Sequence, residues 1–250
     1  MSGDTYLRSI LQKYDVNISG AEAAGNTIYP VIQRWGDSYL VKAEFSGSLA
    51  KGTGINIGTD ADIFISVSSN TPGTLADLYV TLFNAVTQAG YAARKQNVSI
   101  GTTVNGYQID LVPGRRQSQY GNDHSLHKSK SGSWTQTNIN THINYVKNSN
   151  RIEEVRLSKI WRQLHNLEFP SFYLELAVID ALKYSTVGNL SANFLKVLEF
   201  FRDGLPSTRY VDPANTNNII SDDLTAAQKI AISSQARLSR NQQNWGGIVW

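Results

Sequence analysis

Two aspartates separated by one residue, Asp60 and Asp62 in the segment TDADIFISV, are the first residues here whose type and spacing suggest chemistry. In a β-strand side chains alternate between faces, so Asp60 and Asp62 project to one side and Ala61 to the other. Carboxylates held so close repel unless a cation lies between them, and paired hard oxygen ligands suit magnesium, which keeps several waters and also binds substrate phosphates. Asp110, in IDLV, completes a triad if its strand neighbours the first. Three carboxylates can hold two Mg2+ (or Mn2+) ions. Such a pair, about 3.5–4 Å apart, serves in-line displacement at phosphorus by activating the attacking oxygen and stabilising the leaving one. That chemistry suits nucleotidyl transfer from nucleoside triphosphates.

Upstream, FSGSLAKGTGINIG runs from residue 45 to 58. Gly47 and Ser48 follow a predicted strand and open a predicted short helix, where backbone N–H groups and a hydroxyl can hold a triphosphate tail. Gly47 lets the backbone approach the phosphates closely. The loop through Lys51, Gly52 and Gly54 then returns the chain toward Asp60. Taken alone, an Asp-x-Asp pair is usually a cap or a solvated pair. The conjunction of the pair, a preceding Gly-Ser turn and a third aspartate on another strand favours the metal reading.

These residues need a sheet to position them. The stretches 39–46 and 61–67 read as strands, the second almost wholly apolar inside. Leu75, Leu78, Leu82 and Val86 predict a helix over 74–89, stopped at Gly90. The runs 92–104 and 107–112 flank Asn105-Gly106, a strong hairpin signal, so the sheet is expected to be mixed. Two amphipathic helices, divided near Asn17 and Gly20, are expected in the first 35 residues. The polar, basic stretch between Pro113 and Ser133 reads as a mobile loop. From Asn138 onward the periodicity is helical, with stripes at 152–164, 172–184, 192–201 and 225–240. The expected class is α+β: a nucleotidyltransferase-type catalytic domain over residues 1–150, with a mixed sheet and flanking helices, followed by an α-helical domain over 151–250.

The 250 residues carry 23 Lys and Arg against 20 Asp and Glu, a net charge of +3 that does not by itself call for a nucleic-acid partner. The absence of cysteine excludes disulfides, thiolate zinc sites and cysteine nucleophiles. With no signal-peptide pattern and no run near the roughly 20 apolar residues of a membrane span, a cytoplasmic protein without a membrane partner is expected.

The combination Gly47-Ser48, Lys51-Gly52-Thr53, Asp60-x-Asp62 and Asp110 in IDLVPGR resembles the DNA polymerase β-like nucleotidyltransferases. It falls closest to the branch of oligoadenylate synthetases, cyclic GMP-AMP synthase and archaeal CCA-adding enzymes, and most of all to bacterial cyclic-oligonucleotide synthases (CD-NTases) of antiviral defence. TNINTHINYVKNSN, RLSKIW, PSFYLEL, VDPANTNNI and the tail QNWGGIVW continue the resemblance in family order, with Ile139 where proline is common and Ala61 where a larger apolar residue is common. The resemblance implies that Asp60 and Asp62 bind both metals, Asp110 binds one and helps deprotonate the acceptor hydroxyl, and Ser48 contacts the β- and γ-phosphates. It further implies a triphosphate-neutralising role for Lys159, with Ser171 beside it, and a helical domain like that of poly(A) polymerases and oligoadenylate synthetases.

Several residues keep two readings. Lys159 also fits a solvated helix face, Ser171 a helix cap, and His142 either a phosphate-side or a structural histidine. His124 and His127 read as solvated loop residues rather than metal ligands. Arg115, Arg116, Lys128 and Lys130 suit a second nucleotide or RNA, or mere solubility, and Trp134 anchors its loop or stacks a base. Three functions follow: synthesis of a cyclic or linear oligonucleotide messenger; transfer of nucleotides to an RNA 3′ end or a protein acceptor; and a nucleotide-binding regulator with a decayed site, which the intact carboxylates disfavour. Oligomeric state, base choice and linkage are not written in these residues.

Overall fold

The computed structural model describes residues 2–58 and 60–250. By packing, these form two compact units: a sheet unit of residues 17–51 and 60–143, and a helical unit of residues 2–16, 52–58 and 144–250. The chain is thus not parted by one cut near residue 150; its first helix and the loop 52–58 bury their apolar side chains in the helical unit.

Helix α1 (Gly3–Lys13) is capped by the Ser2 hydroxyl, and α2 (Ile18–Gly36) by Asn17, whose Oδ1 accepts from Gly20 N at 3.0 Å. In the sheet unit, α2 leads to β1 (Leu40–Phe45), the short α3 (Gly47–Lys51), β2 (Ala61–Val67) and α4 (Leu75–Gln88). Thr74 and Asp77 form a complete capping box at the start of α4. Next come β3 (Arg94–Lys95), β4 (Ile100–Val104), β5 (Tyr107–Arg116), β6 (His124–Lys128) and β7 (Ser133–Thr137). The strand order is β1-β2-β5-β4-β3, with β6 paired to the far end of β5 and β7 to β6. Among the described residues β2 and β5 pair in parallel and the other neighbours antiparallel, which makes the sheet mixed. Asn105 and Gly106 both take positive φ, 50° and 82°, as a tight hairpin turn requires.

Alternation decides the faces of β2. Ile63, Ile65 and Val67, with Ile109 and Leu111 of β5, join the core made by Ile28 and Ile32 of α2 and Leu82 and Val86 of α4. The opposite face therefore receives Asp62, Phe64 and Ser66 from β2, and Asp110, Val112 and Gly114 from β5.

Two sequence expectations need correction. The run 92–104 is not one strand: Gln96–Ser99 turns between β3 and β4, with Gln96 N donating to Ser99 O at 3.0 Å. The stretch 113–133 is not a mobile loop, for β5 continues to Arg116 and the chain returns as β6 and the start of β7. Few apolar residues suffice because each new strand borrows the existing sheet's backbone hydrogen bonds, with Leu126 and His124 of β6 and Thr137 of β7 as buried side chains.

The chain crosses into the helical unit within α5 (Ile139–Lys147). Then follow α6 (Ile152–Leu164), α7 (Ser171–Ala181), α8 (Leu190–Asp203), a ribbon of β8 (Val211–Asp212) and β9 (Asn215–Ile219), and α9 (Ala226–Arg240). Trp161, Tyr173, Phe194 and Phe201 are wholly buried at its centre. The ribbon lies in VDPANTNNI, where no apolar alternation announces it; buried Asp212 holds its turn by accepting from Ala214 N at 2.8 Å and Asn218 Nδ2 at 3.1 Å.

Candidate active site

Parallel pairing sets Asp62 of β2 directly beside Asp110 of β5, so both carboxylates leave the same face of the sheet. Asp60 lies just before β2, is exposed, and its charge reaches Asp110. Burial, reinforced by the Asp60 charge, pushes the Asp110 carboxyl above the ordinary carboxylate range, against the opposing pull of Arg94 and of hydrogen bonds from Ser99 and Gln96. Gln96 Nε2 donates to Asp110 Oδ1 at 2.9 Å and Ser99 Oγ to Oδ2 at 3.4 Å, while Ser99 Oγ also donates to Gln96 Oε1 at 2.7 Å. The turn between β3 and β4 therefore orients Asp110, a role that nothing in the residues 96–99 announces.

Gly47 is tied to Asp62 by geometry. Its φ is +53°, and a Cβ built on it would lie 1.8 Å from Asp62 Oδ2. Only glycine lets this turn lie against the carboxylate. Ser46 N donates to Asp62 O at 2.8 Å, pinning the start of α3 to β2. Ser48 follows in the first turn of α3 and is half-buried. Beside this turn a cavity of about 150 Å³ opens, lined among others by Gly47, Lys51, Asp62, Phe64, Leu126 and His142. His142, on α5, and the buried Lys51 thus share the cavity wall with Asp62.

Among the described residues, no three His, Asp or Glu side chains are gathered into a ready cation cage. The donor set nonetheless fits a hard divalent cation: Asp62 and Asp110 are register partners, and Asp60 adds enough negative charge to resist ionisation of Asp110. A cation between them would relieve that repulsion.

The helical unit holds the two other residues that the resemblance assigned to the triphosphate. Lys159 on α6 is 2% exposed; its ammonium donates to Glu175 Oε1 at 2.7 Å and to Thr53 Oγ1 at 2.9 Å. Ser171 is the first residue of α7, with Pro170 in the capping position, and its hydroxyl accepts from Arg162 Nη1 at 3.0 Å. Lys159 is therefore not on a solvated face.

The basic stretch also proves different from its expectation. His124 is not solvated but 2% exposed: its Nε2 lies 2.8 Å from Ser66 Oγ, its Nδ1 2.8 Å from Asn122 O, and its ring meets Phe64 edge-on. Burial pushes its pKa down. His127 packs against Tyr79. Arg115 donates to Gly73 O at 2.7 Å and Arg116 to Gln119 O at 3.3 Å, whereas Trp134 is 59% exposed on β7.

No protein-family model matches the chain. A curated relative, the cyclic AMP-AMP-AMP synthase of Escherichia coli strain MS 115-1, is 26% identical over 205 residues, which cover 76% of this chain and 62% of the relative. The chain thus spans less than two thirds of that protein's length. Among solved structures, E. coli MS115-1 CdnC with ATP superposes with a TM-score of 0.72 at 22% identity, covering 94% of this chain and 89% of the other. The CD-NTase CdnG of Bradyrhizobium diazoefficiens, in complex with GTP, gives 0.76 at 12% identity, covering 97% and 94%. The chain thus has the nucleotidyltransferase fold of these CD-NTase structures and a distant sequence similarity to the cyclic AMP-AMP-AMP synthase.

Proposed function

We propose that this chain is a metal-dependent nucleotidyltransferase that joins nucleoside triphosphates into a cyclic or linear oligonucleotide messenger used in antiviral defence. The observation that carries the reading is the register pair Asp62 and Asp110 on adjacent parallel strands, with the Gly47 turn seated against Asp62. In this reading Asp60, Asp62 and Asp110 hold two Mg2+ or Mn2+ ions, and Gly47 and Ser48 hold the triphosphate. Bound metal would supply charge neutralisation at phosphorus and acidify the attacking hydroxyl. Asp62 and Asp110 orient the reacting centre, and Asp110 would help take the proton that the acceptor hydroxyl gives up. A ribose oxygen then bonds to the α-phosphorus as the α–β bridging bond breaks and pyrophosphate leaves.

The relative's product, named as cyclic AMP-AMP-AMP, supports an oligonucleotide product here. The basic stretch offers less support for an RNA acceptor, since Arg115 and Arg116 donate to backbone carbonyls of their own unit. Among the described residues no helix is long and apolar enough to cross a membrane. The test is incubation of the protein with labelled triphosphates and Mg2+ or Mn2+, with and without bulk RNA, followed by phosphatase and nuclease. A small phosphatase-resistant product, absent from Asp60→Ala/Asp62→Ala, is expected. Label found only in RNA or on protein would reject the messenger, and product persisting in the double variant would reject the site.

A further inference from the structure

Between Lys51 and Asp60 the chain leaves the sheet unit, and the segment 52–58 packs wholly within the helical unit. That segment follows directly on the Gly47–Lys51 helix and precedes the Asp60–Asp62 pair, so it is part of the covalent link between the two halves of the candidate site. It is anchored at almost every residue. Thr53, 0% exposed, donates to Glu175 Oε1 at 2.8 Å and accepts from Lys159 Nζ at 2.9 Å. Arg156 Nε donates to Gly54 O at 3.2 Å, Ile55 is buried, and Asn56 N donates to Tyr14 O at 3.0 Å. At the far end Gly58 takes a φ of +68°, and a Cβ there would lie 2.0 Å from Gln163 Nε2.

The centre of this anchorage is an ion pair with both partners essentially out of water, Lys159 at 2% and Glu175 at 1% exposure, closed by the Thr53 hydroxyl. Buried pairs of this kind are seldom retained for stability alone, because desolvation offsets most of their attraction. This pair offers a hydroxyl on the loop a charged donor and a charged acceptor at once, a strong and directional grip. We infer that Thr53, Glu175 and Lys159 are positioning residues that clamp the loop 52–58 and so hold the chain segment that links the Gly47–Ser48 turn to Asp60–Asp62 in nucleotidyl transfer. In this role Lys159 acts through Thr53 and Glu175. The kinetic consequence rests on the proposed nucleotidyltransferase activity; the clamp itself does not.

Thr53→Val keeps the side-chain shape and leaves the Lys159–Glu175 pair in place, Thr53→Ser keeps the hydroxyl, and Glu175→Gln keeps shape while removing charge. Amide hydrogen exchange over 52–58 and steady-state kinetics on the intact chain read the result. Thr53→Val is expected to speed exchange at residues 54–56 and to lower kcat by about tenfold to 10²-fold with KM for the triphosphate little changed, since misplaced reacting groups cost rate more than binding. Thr53→Ser should restore both, and Thr53→Val/Glu175→Gln should be no worse than the worse single change. Wild-type exchange and kcat in Thr53→Val would overturn the proposal. So would a raised KM in Lys159→Met with Thr53→Val silent, which would make the lysine a direct ligand. Absence of any transfer by the wild-type chain would reject the activity, while the exchange measurement would still decide whether Thr53 holds the loop.

Discussion

The molecule carries two charged clusters of opposite design. In the sheet unit, Asp62 and Asp110 lie side by side and Asp60 adds like charge, so that burial and repulsion together push the Asp110 carboxyl toward its neutral form. In the helical unit, Lys159 and Glu175 are more deeply buried, yet each meets an opposite charge and a shared hydroxyl. The first arrangement stores unfavourable electrostatics that a divalent cation would relieve; the second is electrostatically settled as it stands. Charge left costly in the folded protein marks a place built for a ligand, whereas charge satisfied internally marks a place built to hold geometry.

Substitutions should separate the two clusters. Asp62→Asn removes a carboxylate where charge neutralisation is required, and nucleotidyl transfer should fall by about 10³-fold or more, several kcal/mol of transition-state stabilisation, with the melting temperature kept or raised. Glu175→Ala should act on stability as well, lowering unfolding free energy by about 3–5 kcal/mol in denaturant titration because Lys159 is left as an uncompensated buried charge, while Lys159→Met/Glu175→Met stays close to wild type in stability. Next in size, Gly47→Ala forces a side chain against Asp62 at a positive φ, and about 1–3 kcal/mol of stability should be lost together with activity.

The smallest effect is the most diagnostic. A carboxyl whose folded pKa lies above its unfolded value stabilises fully below the unfolded pKa, and that stability is lost as pH rises through the folded pKa. Asp110 is such a group, so Asp110→Asn should raise the thermal midpoint at pH 7 relative to wild type and show no such advantage near pH 3, while abolishing transfer. An equal change at both pH values would mean that Asp110 carries no electrostatic cost.

The carboxylate site was largely legible because period-two alternation, a Gly-Ser turn and Asn105-Gly106 are all local signals, and together they specify β2, β5 and which side chains share a face. Three things were not local. Gln96 and Ser99 orient Asp110 only through the fold of a turn. Strand β6 gains its place from pairing with β5, not from its own hydrophobicity, which is why His124 read as solvated. The surroundings of Lys159 depend on Thr53 and Glu175, 106 and 16 residues away in sequence, and no spacing rule connects them.

The most direct test of the central claim is calorimetric titration of Mn2+ into the protein in the presence of a non-hydrolysable nucleoside triphosphate analogue, for wild type and Asp62→Asn. Two bound Mn2+ per chain in wild type, with binding lost in Asp62→Asn, is the predicted result. Identical Mn2+ binding by both proteins, or none by wild type, would contradict a metal-dependent site at Asp60, Asp62 and Asp110.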